Sequence, residues 1–119
     1  MGIEGRRSDR VKIEYDVKMQ RLMSQANRVM KASILNLSVT GCKLKTLNMQ
    51  TGFAVGESII ISFKLADFSI KVKGSYFLKV KAQVRWALPD GSEVGCKFEI
   101  MDDKKQNIFN QILQHLMKT

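Results

Sequence analysis

Two short stretches carry the residue types that could recognise an anionic, base-bearing ligand. Arg6-Arg7-Ser8-Asp9-Arg10 sets three guanidinium groups within five positions, just ahead of an alternating apolar segment. Asn36-Leu37-Ser38-Val39-Thr40-Gly41 places an amide, a hydroxyl and a glycine between two further alternating segments. The first has the form R-x-x-x-R and the second N-x-S-x-x-G. A guanidinium fork pairs bidentately with phosphate oxygens and with the O6/N7 edge of guanine. The Asn36 amide donates and accepts, and the Ser38 hydroxyl does either. Gly41 permits positive φ and a close backbone approach. An arm supplying charge and a turn supplying shaped hydrogen bonds would suit a ligand with phosphates and guanine edges. Taken singly, the two stretches would be a solvated basic terminus and an ordinary polar turn.

Catalysis has little support. His115 is the only histidine and lies far along the chain from Ser38. No nucleophile–base spacing or metal-ligand cluster is visible, so no catalytic or metal residue is assigned. Glu14, Asp16, Asp90 and Glu93 fall on strand exteriors or in turns, where solvated carboxylates are the rule.

With 119 residues the chain is the size of one domain, and 45% hydrophobic residues suffice for a core. A net charge of +9 favours an anionic partner. No apolar run is long enough to span a bilayer, and no signal peptide is evident. Cys42 and Cys96 stand apart in strand-like segments and read as buried thiols of a cytoplasmic protein.

The elements follow from periodicity. Val11, Ile13, Tyr15, Val17 and Met19 alternate with charged residues, which predicts a long half-buried strand. Strands are expected over about 28–37, 42–47 and 59–65, and a short one over 68–72. Leu78, Val80, Ala82 and Val84 mark the clearest strand, and the 89–92 turn returns it as Val94, Cys96, Phe98 and Ile100. Trp86 continues the Leu78–Val84 face, which puts its ring in the core; a ring stacking on a base at the barrel mouth is the alternative. At the C-terminus the period changes. Ile108, Phe109, Ile112, Leu113 and Leu116 share one helical face. Asp102 or Asp103 is a candidate N-cap, and Asp103 with Gln106 has the spacing of a capping box. Six strands and an amphipathic helix predict a mainly β chain, an antiparallel barrel with a helical lid. The parts are a flexible basic arm (1–10), the barrel (11–100) and the helix (101–119).

The paired motifs, their order and the closing hairpin Val84-Arg85-Trp86 with Val94-Gly95-Cys96-Lys97-Phe98 resemble PilZ domains, receptors for cyclic di-GMP. The resemblance covers nearly the whole chain. It implies a six-stranded barrel with a C-terminal helix and no enzymatic activity. It also implies no cofactor, cyclic di-GMP as ligand, and signalling to an effector protein of motility, pilus or exopolysaccharide machinery. It assigns ligand contacts to Arg6, Arg7, Arg10, Asn36, Ser38, Gly41 and Trp86. Many members carry another Arg directly before R-x-x-x-R; here that position is Gly5, which favours one ligand over a stacked pair. Two other readings stand beside it. One is a basic barrel binding single-stranded nucleic acid through outward lysines such as Lys79 and Lys81. The other is a PilZ-like interaction module that binds no nucleotide.

Overall fold

In a computed structural model of the chain, residues 11–22, 29–46 and 53–117 are described. Six strands form: β1 (Val11–Arg21), β2 (Val29–Leu37), β3 (Gly41–Thr46), β4 (Ser58–Lys64), β5 (Phe77–Ala87) and β6 (Glu93–Phe98). All pair antiparallel, in the order β1-β2-β3-β6-β5-β4, and β4 returns to β1 to close a barrel. Closure rests on Lys18 to Arg21 facing Ser62 to Ile59. Period-two alternation fills the interior: Met19, Ile34, Leu44, Ile61, Phe63, Val80 and Val84 are buried while Lys79 and Lys81 face out.

Helix α1 (Asp103–Met117) plugs one end. Phe109 sits edge-on to Phe98 at 5.1 Å and to Phe63 at 6.0 Å, and Ile112 and Leu113 are buried beside it. An apolar helical stripe and an open barrel end each solve the other's exposure problem. The N-cap is Asp102, whose carboxylate accepts the Lys105 amide at 2.8 Å. The expected Asp103–Gln106 capping box does not form. Gln106 instead donates forward to Asn110 at 3.0 Å.

Two further expectations are corrected. The strand predicted over 68–72 is a 3-10 turn, Leu65–Phe68, followed by a tight loop with one isolated bridge between Val72 and Ser75. Phe68 and Ile70 are both buried in the core without belonging to a strand ladder. Phe68 packs on Tyr15 at 4.9 Å and on His115 at 5.7 Å. The Tyr15 hydroxyl donates to Asp67 at 2.7 Å. Burial, then that bond, pushes the phenol well above its ordinary pKa. The second correction is Ile100, which is fully exposed beyond the end of β6.

The opposite end is tied by a buried ion pair. Arg21 donates through Nε and Nη2 to Glu57 at 2.5 and 2.9 Å, and Glu57 also accepts the Ala54 amide at 3.0 Å. The Arg21 guanidinium stacks on Phe53 at 4.4 Å. Removing one partner strands a charge that is 1% exposed in the side chain of Glu57. Arg21→Met is therefore expected to destabilise by about 3 kcal/mol, and Arg21→Met with Glu57→Leu to recover most of that loss. Urea denaturation of the two variants measures both; equal losses would refute the account.

Candidate ligand-binding site

The start of β1 and the Asn36–Gly41 corner lie at one rim of the barrel. Val11 opens β1 opposite Leu37, the last residue of β2. β1 thus opens beside the corner that Ser38 begins. Arg6, Arg7 and Arg10, and the whole 1–10 arm, lie outside the described residues.

The corner itself is tightly built. The Ser38 amide donates to the Gly41 carbonyl at 2.9 Å. The Ser38 hydroxyl accepts from the Thr40 and Gly41 amides, both at 3.3 Å, and lies 3.2 Å from the Thr40 hydroxyl. Ser38 is 1% exposed. Its oxygen is thus turned into its own turn, as Ser side chains do where the backbone lacks partners. The Phe98 amide braces the corner by donating to the Thr40 carbonyl at 2.8 Å. Gly41 is not left-handed here. Its requirement is the close approach alone: a Cβ would collide with the Cys96 carbonyl of β6.

From this rim a row of residues crosses the barrel wall. Lys12 faces Asn36, Asn36 faces Lys43, Lys43 faces Gly95, and Gly95 faces Trp86. Register shifts interrupt the ladders beside this row, between Lys12 and Tyr15, between Ile34 and Asn36, and between Val84 and Trp86. Bulges re-aim side chains. The one in β5 breaks the alternation, so Val84 is buried while both Arg85 and Trp86 are exposed. Trp86 therefore leaves the core face that periodicity assigned to it. Its ring lies over Gly95, where a Cβ would run into the indole, and it stays 43% exposed. The two glycines have different tasks: Gly41 lets strands approach, and Gly95 seats an aromatic platform.

The row spans three interstrand gaps from Asn36 to Trp86, about 14 Å along the wall. That is wide enough to seat two nucleotides. Between Asn36 and Trp86 the row carries Lys43, half-buried and paired with Glu93 at 3.2 Å. In sequence Lys43 is one of many lysines, set between the apolar Cys42 and Leu44. Its position two residues after Gly41 on an outward face was the available signal, but register was needed to set it between Asn36 and the Trp86 seat. Arg85 and Lys97 add two more cations around an adjoining depression of about 460 Å³. Asn36 is partly buried at the head of the row. Neither a metal-ligating group among the described residues nor a helix long and apolar enough to cross a membrane is present.

The sequence profile of the PilZ domain matches residues 4–117. No curated protein sequence matches significantly. Among solved structures, the PilZ domain with c-di-GMP of YcgR from Escherichia coli is similar, with a TM-score of 0.70 at 11% identity, covering 97% of this chain and 93% of that one. The K. pneumonia MrkH–c-di-GMP complex gives 0.64 at 15% identity, covering 98% of this chain and 53% of the other. The Bacillus subtilis inhibitor of motility, MotI/DgrA, gives 0.62 at 17% identity, covering 98% and 54%. This chain thus spans about half the length of those last two proteins. At these identities the structural likeness shows the fold, and the profile match over nearly the full length shows the lineage: the chain belongs to the PilZ domain family.

Proposed function

We propose that this chain is a non-enzymatic cytoplasmic receptor for cyclic di-GMP that signals to an effector protein. The observation that carries this reading is that β1 opens opposite the end of β2, beside the Asn36 corner and its row, and R-x-x-x-R immediately precedes β1 in sequence. The ligands named for the YcgR domain and the MrkH complex are the same cyclic dinucleotide.

In the proposed complex, Arg6 and Arg10 reach phosphates and a guanine edge from the segment leading into β1, with Arg7 as a further donor. Asn36 reads a base edge at the head of the row. Ser38 and Gly41 hold the corner's shape and so fix where Asn36 points. One guanine stacks on Trp86, and Lys43 meets a phosphate between them. Each charge-assisted hydrogen bond contributes on the order of 1.5–3 kcal/mol. Ordering the arm opposes this by about 1–2 kcal/mol per residue. Several such bonds with base stacking offset that cost, and an arm fixed on the ligand changes the surface offered to an effector.

The single-stranded nucleic-acid reading is weaker on geometry. Phe77 is the β5 aromatic residue nearest Lys79 and Lys81 in sequence, and the Lys18 ammonium covers its ring at 5.4 Å. Base stacking there would first displace that cation.

Calorimetric titration with cyclic di-GMP tests the reading. The parent is expected to bind saturably, and Arg10→Ala to bind at least about tenfold more weakly, the loss of one charge-assisted contact. An Arg10→Ala protein that binds like the parent would overturn the assignment. Trp86→Ala is expected to lose about 1–3 kcal/mol of stacking without loss of fold, because the ring lies outside the core. Lys43→Met is expected to weaken binding about tenfold, whereas Glu93→Gln, which frees the same ammonium and removes a nearby anion, strengthens it about threefold or more. If both substitutions at the Lys43–Glu93 pair left affinity untouched, the row would not be the phosphate seat.

A further inference from the structure

A second surface lies away from the row, where the loop after β4 meets the start of β5. We propose that this surface docks an acidic, amphipathic segment of a partner protein. It is a groove of about 670 Å³ with an apolar floor that includes Ile70 and Val72. Tyr76 and Phe77 line it too, and Tyr76 is 82% exposed. Lys64 and Lys71 line it as exposed cations.

The loop is built rather than loose. Its ends are joined by the Leu65 amide donating to the Tyr76 carbonyl at 3.0 Å. Within it, the Ile70 amide donates to Leu65 at 3.1 Å and the Ser75 amide to Val72 at 3.0 Å. Ser69 takes φ 58° and Gly74 φ 80°, two left-handed turns that fold the loop back on itself. Leu65 and Phe68 anchor it from below. A rigid, concave, apolar surface rimmed by an exposed tyrosine is the form of a protein-docking hot spot, because little order is lost on binding.

Charge selects the occupant. Residues 64–81 hold five lysines and one acid, Asp67. That acid already accepts the Tyr15 hydroxyl at 2.7 Å. A partner with Asp or Glu flanking a large apolar side chain matches both the floor and the rim. A bare nucleic-acid strand would match the charge and leave the aliphatic floor unused.

Selection of peptides from a random display library against the full chain tests this, with cyclic di-GMP absent so that the outcome is independent of the nucleotide site. The expected winners carry acidic residues around a Leu, Phe or Trp. A synthesised winner should shift the amides of Ile70, Val72 and Tyr76. Its affinity should fall about tenfold or more in Tyr76→Ala and in Lys71→Glu, the scale of a hot-spot loss, and hold in Trp86→Ala. Both groove variants replace exposed side chains, and their amide spectra check that the barrel persists. The proposal is overturned if no acidic–apolar consensus emerges, or if binding survives the groove variants. It is equally overturned if Tyr76 instead mediates binding to oligothymidylate, to vesicles of anionic lipid, or to a second copy of the chain.

Discussion

A sheet of six strands closes on itself only if the strands shear, and the shear has to be absorbed somewhere in the ladders. Here register breaks accompany one oblique line that runs from the Val11 junction to Trp86. Everything proposed for the outer wall depends on that coincidence. Without the break in β5, the alternation that buries Val80, Ala82 and Val84 would keep Trp86 on the barrel's inward face. With it, the inward face ends at Val84 and the indole swings onto Gly95. The register breaks thus lie along the same line of the outer wall as a lysine, an amide and an aromatic ring.

The strands were legible because alternation is a local property. Leu78 to Val84 and Val11 to Met19 each declare which face is buried, and the helix declares itself by a change of period at Ile108. What escaped were features decided by non-neighbours. The segment around Phe68 and Ile70 alternates like a strand, yet its partners are Tyr15 and the helix rather than another ladder. Trp86 obeys the period until a register shift with β6 cancels it. The motif at Asn36–Gly41 was visible as residue types, but the inward turn of the Ser38 hydroxyl was not. Whether a hydroxyl serves a ligand or its own turn depends on whether nearby backbone amides point at it, as those of Thr40 and Gly41 do. Lys43 shows the same limit: one of many lysines in sequence, it becomes particular only through its cross-strand neighbours.

Electrostatically, the wall is tempered rather than simply basic. Glu93 holds the Lys43 ammonium in place, and Glu99 lies 3.9 Å from Lys81. In a chain of net charge +9, such pairs keep cations from repelling one another and preset their positions. They also set a threshold: an incoming anion has to compete with a carboxylate already present. Discrimination between weakly and strongly charged ligands then arises from exchange of partners rather than from bare attraction.

The seating of Trp86 has a spectroscopic side. It is the chain's sole indole, and it lies on the outer wall rather than among the apolar side chains of the core. Intrinsic emission therefore starts from a half-hydrated ring, red of a buried one, and loss of the fold moves it little. The same ring would respond sharply to anything laid flat against it. In this protein, tryptophan fluorescence is a gauge of what touches the barrel's exterior, and a poor thermometer of its interior.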